Sequence, residues 1–301
     1  MPRVVACDNN LPMRFLLLAA TIPCLAAGPP SVDSLATKCQ ASVSYYAKNL
    51  ETRAAFGLRE DERVRTASTI KLPIMAGVFA AVDAGRGKLT DELIVTKEDK
   101  VGGSGVLGGF SDGAKLRLQD LILLMIVLSD NTATNMILEK YPADLINSYA
   151  ADLGLRNTKV LRKILKGEIA AGYAKEGKME EFRPFGFGVS TPKEMVLLLE
   201  KLERGEVVSA ERSKAMIEIL KQQQDNAGLQ RRTTFPVASK AGALDKLRSD
   251  VGIIYAPWGR IAMAITVDDI PPGGYKPDHP GLLCIADISK AIVDYWKPNA
   301  K

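Results

Sequence analysis

Apolar and polar positions change period twice along this chain. The segments 42-SVSYYAKNL-50 and 53-RAAFGLRE-60 are rich in β-branched and aromatic residues and are broken by a polar turn, which predicts a hairpin. Residues 69–84 then show helical spacing as far as 85-GRGK-88, a glycine-marked C-terminus. The stretch 116-LRLQDLILLMIVLSDNTATNMILEK-140 predicts two helices meeting at 129-SDN-131, the first apolar on nearly every side and so buried. Two amphipathic helices follow over 191–205, opened by Thr191-Pro192, and 209–222, opened by Ser209. Period two returns in 235-FPVASKAGA-243, 251-VGIIYAP-257 and 259-GRIAMAITVDD-269, predicting three consecutive antiparallel strands, and a helix over about 281–297 closes the chain.

Strands at both ends and helices between them predict an α+β fold. One antiparallel sheet of about five strands, built from both chain ends, is flanked by helices and interrupted by an all-helical subdomain over about 66–225. No repeat and no Pro-, Gly- or Ser-rich linker divides residues 30–301, which are expected to form a single domain.

Composition changes this picture at the N-terminus. The stretch 13-MRFLLLAATIPCLAAG-28 has one Arg, an apolar run and small residues, the plan of a secretory signal over residues 1–29 with cleavage near Ala26 or Ala27. Asp8, two Asn and two Pro make residues 1–12 an unusual leader, so Met13 is a second candidate start. The apolar run is too short to span a bilayer. A periplasmic or secreted protein with no stable membrane insertion after signal cleavage is expected. Cys39 and Cys284 remain beyond the signal, and they could pair or stay buried as small hydrophobes.

The net charge of +5 is spread over interleaved acids and bases, which disfavours a nucleic-acid partner. The single histidine, His279, lies in 275-YKPDHPG-281 and is expected to be a solvated turn residue, so neither a Ser-His-Asp triad nor a zinc site is indicated. If the chain is an enzyme, its base is Lys, Asp or Glu.

The chemistry centres on 66-TASTIKLPIM-75. Residues i and i+3 share a helix face, so Lys71 can reach the Ser68 hydroxyl, and a desolvated lysine can take its proton. A helix cap explains such a serine equally well, and 190-STPK-193 repeats the pattern. The company distinguishes the first copy: 129-SDN-131 follows Ser68 by 61 positions, and 240-KAGA-243 lies 111 further on.

These elements, in this order, resemble the S-x-x-K, S-D-N and K-T-G boxes of the serine penicillin-recognising enzymes, most closely the class A β-lactamases, over about residues 35–297. The resemblance implies a serine hydrolase acting on cyclic amides. Ser68 would be the acylated nucleophile and Lys71 its base, with Ser129 passing the proton to the leaving nitrogen. Asn131 would hold the substrate amide and orient Lys71, while Lys240 would supply positive charge to Ser129 and the substrate carboxylate. The backbone amides of Ser68 and Ala243 would form the oxyanion hole. The implied substrate is a β-lactam or a cell-wall peptide-like molecule, and the implied state is a monomer needing no cofactor and no metal.

Two departures from the family stand out. Ala241 replaces a hydroxyl residue in the third box, and Arg248, expected in the hairpin turn after that strand, is a candidate to compensate. The E-x-x-L-N segment that carries the family's deacylating glutamate is absent between Asn131 and Thr191. Counting forward from Ser129 favours Glu168, and counting back from Pro192 favours Glu176, with Glu180 and Glu181 also chemically competent. A penicillin-binding peptidase or esterase with slow deacylation, or a non-catalytic binding module, are the alternatives.

Overall fold

The computed structural model describes residues 26–298 except 28 and 165–173. Most of the proposed signal segment lies outside the described residues. The chain runs through β1 (Ala26–Ala27), α1 (Pro30–Lys38), β2 (Ser42–Asn49), β3 (Ala55–Leu58) and β4 (Val64–Arg65). Next come α2 (Lys71–Asp83), β5 (Glu92–Ile94), β6 (Lys115–Arg117), α3 (Leu118–Val127), α4 (Asn131–Lys140) and α5 (Ala143–Asp152). The remainder is β7 (Lys159–Val160), β8 (Gly188–Ser190), α6 (Pro192–Glu203), α7 (Ala210–Leu220), β9 (Val237–Leu244), β10 (Leu247–Ala256), β11 (Gly259–Asp268) and α8 (Pro280–Tyr295).

The main sheet has the order β1-β3-β2-β11-β10-β9. Its five long strands are antiparallel and come from both chain ends, and the two-residue β1 adds in parallel to β3. Period-two alternation sets what each face buries. On β11, Ile261, Met263, Ile265 and Val267 face a core shared with α1 and α8, while Ala262 and Ala264 face the core shared with α2–α7. The inserted region also carries two small sheets, β4-β8-β7 and β5-β6, whose strands of two or three residues are too short to show a period.

Helix starts are capped where the sequence places them. Thr191 accepts from the Glu194 N–H and Ser209 from the Arg212 N–H, both at 3.1 Å. His279 departs from expectation: it is buried at the N-cap of α8, and its Nδ1 accepts from the Gly281 N–H at 3.1 Å. Burial, helped by the Arg248 charge, lowers its pKa and favours the neutral ring that can accept this bond. Cys39 and Cys284 are joined in a disulfide, tying the end of α1 to α8. Among the described residues, no helix is long and apolar enough to cross a membrane.

Candidate active site

The edge strand β9 faces the helical region across a cleft of about 710 Å³, lined by Ser68, Ser129, Asn131, Lys240, Ala241 and Ala243, among others. Ser68, Ser129, Asn131, Lys240 and Ala243 therefore converge, and the buried Lys71 reaches Ser129 and Asn131.

Ser68 sits in a 3-10 turn, Ala67–Ile70, that leads into α2. Ala67 takes the left-handed φ of 47°, and Thr69 Oγ1 closes the turn by donating to the Thr66 carbonyl at 2.7 Å. Strand β9 crosses this turn so closely that a Cβ on Gly242 would stand 2.8 Å from the Ser68 amide nitrogen and 2.9 Å from the Thr66 carbonyl oxygen. Only glycine lets the backbone of the third box lie against the serine turn.

Lys71 is fully buried, and its Nζ donates to the Ser129 carbonyl at 2.6 Å, to Asn131 Oδ1 at 2.9 Å and to Ser129 Oγ at 3.2 Å. Burial pushes its pKa well below the ordinary lysine value, the Lys240 charge pushes further, and Asp130 opposes both. These contacts hold the amine against Ser129 and Asn131, in surroundings that favour its neutral form.

Ser129 occupies the left-handed region at φ 54°, which turns its carbonyl towards Lys71 and towards Ser104 Oγ, a donor at 2.9 Å. Asp130 holds this junction. Its Oδ1 caps α4 through the Ala133 N–H at 2.9 Å, and its Oδ2 accepts from the Val106 and Leu107 amides at 2.7 and 2.8 Å. Any Cβ on Gly105, at φ +104°, would collide with the Asp130 carboxylate. Asn131 Nδ2 donates to the Gly102 carbonyl at 3.1 Å. The anchoring role of Asp130 and the 102-GGSG-105 wall escapes sequence reasoning, although the glycine run itself signals a close approach.

Lys240 is buried on β9 and donates to the Ala241 carbonyl at 2.7 Å. Burial lowers its pKa to about 8 against the raising influence of Asp250 and Asp225. Ala241 presents a methyl group where a hydroxyl would add a donor. Arg248 lies on β10, opposite Ala243, and not in a turn. Two residues suffice to turn the hairpin after Leu244, so the next strand starts at Leu247, earlier than the apolar run suggests. Its guanidinium is held by the main-chain carbonyls of Leu244, Leu247 and Gly274 and lies 5.3 Å from the centre of the Tyr275 ring.

Glu176, Glu180 and Glu181 are placed away from the cleft lining, next to Lys159 at 3.6 Å, Arg183 at 3.3 Å and Arg63 at 3.8 Å. Glu168 lies outside the described residues. Ile164, the last described residue before it, lines the cavity and is gripped by Asn135, which accepts from its N–H at 2.8 Å and donates to its carbonyl at 2.9 Å.

Known proteins place this arrangement in a family. The model of the beta-lactamase enzyme family matches residues 30–296. A beta-lactamase from Sphaerobacter thermophilus is 32% identical, with a TM-score of 0.77, over 88% of this chain and 97% of that one. A PBP-A mutant solved as an acyl-enzyme complex with penicillin G is 26% identical, with a TM-score of 0.73, over 89% of this chain and 98% of that one. A curated beta-lactamase from Rhodobacter capsulatus is 39% identical over 80 residues, a match spanning 27% of each chain. The chain belongs to the beta-lactamase enzyme family.

Proposed function

We propose that this protein is a serine hydrolase that opens the β-lactam ring through an acyl-enzyme on Ser68. The observation that carries the reading is the buried Lys71, fixed by Ser129 and Asn131, two residues that line the same cleft as Ser68. Neutral Lys71 takes the Ser68 proton as Oγ attacks the ring carbonyl, and the amides of Ser68 and Ala243 receive the developing oxyanion. As the C–N bond breaks, Ser129 delivers its proton to the ring nitrogen under the positive charge of Lys240. It takes in its place the proton held by Lys71, whose Nζ lies 3.2 Å from Ser129 Oγ, and Lys71 is left neutral. Water then cleaves the ester and restores Ser68. Asn131 holds the substrate amide, and the Lys240 charge receives the substrate carboxylate.

A second reading has specific support: among the described residues no glutamate lines the cleft, which fits a penicillin-binding protein whose acyl-enzyme persists. Export to an oxidising compartment is supported by the signal-like N-terminus and by the Cys39–Cys284 disulfide.

Incubation with a chromogenic cephalosporin followed by intact-mass measurement separates these cases. Turnover with no lasting adduct is expected; a stable adduct on Ser68 would select the second reading. Hydrolysis that survives Ser68→Ala would remove Ser68 from the mechanism.

A further inference from the structure

Asp250 is a buried carboxyl that the proposed reaction does not use. It lies on β10 directly opposite Ala241, the residue after Lys240, and is only 1% exposed. Its Oδ2 accepts from the Leu229 N–H at 2.9 Å, and the Gly228 backbone packs so tightly over that oxygen that no side chain would fit there. Among the described residues, its Oδ1 has no hydrogen-bond partner. Lys240 pairs with Val251 in the same register, so the two side chains leave the sheet on opposite faces, one residue apart along the ladder.

A buried carboxylate is costly unless a positive charge compensates it. Of the charges acting on Asp250, Asp225 disfavours the carboxylate and Lys240 favours it. The reverse also holds: the charges raising Lys240 are Asp250 first and then Asp225, in the loop before β9, while Lys71 and Lys240 repel each other.

We propose that Asp250 is a positioning residue for Lys240, its carboxylate holding the proton on the lysine from the far face of the sheet. Why the cleft needs that charge rests on the acyl-transfer reading, but the link between the two residues does not. The link matters near neutral pH, because burial raises Asp250 to about 7 and lowers Lys240 to about 8.

The test is Asp250→Asn, which keeps an acceptor for the Leu229 N–H and removes the charge. Lysines labelled with ¹³C at Cε are titrated by NMR, with Lys240 assigned from its absence in Lys240→Gln. Lys240 is expected to lose its proton about one pH unit lower in the variant; an unmoved or upward titration in a folded variant overturns the proposal. Should Asp250→Asn fail to fold, the reciprocal measurement decides, because the coupling acts both ways. Lys240→Gln must then move the Asp250 carboxyl titration upward, and no movement overturns the link. The alkaline limb of kcat/KM should follow the Lys240 titration. A limb that stays while the NMR titration moves supports the link and counts against the acyl-transfer role of the Lys240 charge.

Discussion

Lys71 donates to the side-chain oxygen of Asn131 at 2.9 Å, across 60 positions of chain, in a site where burial and the charge of Lys240 both favour its neutral form. A base must be neutral to act, so acylation is lost as pH falls through the pKa of Lys71. Lys240→Gln removes a charge that lowers that pKa. Its acid limb of single-turnover acylation should therefore move to higher pH, while Lys71→Met should slow acylation by about 10²–10⁴-fold at all pH values. A limb that stays or moves to lower pH in Lys240→Gln would separate Lys71 from the proton transfer.

Gly242 tests the oxyanion geometry independently of any titrating group. A side chain there must push β9 away from the Ser68 amide, since even a Cβ would stand 2.8 Å from that nitrogen. Gly242→Val should lower the acylation rate by about 10²–10³-fold, the scale of losing an oxyanion donor. Acylation at the wild-type rate would show that the strand and the turn do not act together.

Ala241 is a missing donor beside the Lys240 charge and borders the cleft. Restoring a hydroxyl with Ala241→Thr should lower KM for carboxylate-bearing β-lactams about tenfold, the low end of a hydrogen bond to a charged group. KM for the corresponding esters should not change. Equal effects on acids and esters would point to altered packing instead.

Much of this was legible because the chemistry-bearing residues mark structural junctions. Ser129 and Asp130 separate a helix apolar on nearly every side from a second helix that begins at Asn131, and Lys240 lies in an extended segment before two apolar strands. What escaped has local causes. The hairpin linking β9 and β10 turns in 244-LDKL-247 without glycine or asparagine, so nothing in the sequence marks the start of β10, and Arg248 and Asp250 are missed as strand residues. The helix 30-PSVDSLATK-38 is short and only weakly apolar. The pairing of Cys39 with Cys284 depends on contact between α1 and α8, which no local pattern encodes.

Deacylation separates the four candidate glutamates. Glu176, Glu180 and Glu181 lie beside cations outside the cleft, whereas Glu168 follows the cleft-lining Ile164 by four positions in the sequence. Glu168→Gln should leave the burst of acylation intact and slow release by at least about 10²-fold, seen as a lasting mass adduct on Ser68. The same change at 176, 180 or 181 should leave release unaffected. A persistent adduct in one of those variants would reassign the base.

The disulfide closes a loop of 245 residues and ties α1 to α8 on the sheet face opposite the cleft. Cross-linking positions so far apart restricts the unfolded chain strongly, so Cys39→Ser with Cys284→Ser should cost about 2–4 kcal/mol. For a domain of this size the melting temperature should then fall by roughly 10 °C. The cleft is lined by the serine turn, the junction of α3 and α4, β9 and adjoining loops, none of which contains either cysteine, so kcat/KM at 25 °C should be unchanged. A double variant that melts like the wild type would mean that the packing of α1 on α8 already supplies this constraint. A fall in kcat/KM with full thermal stability would show instead that the two faces of the sheet are mechanically linked.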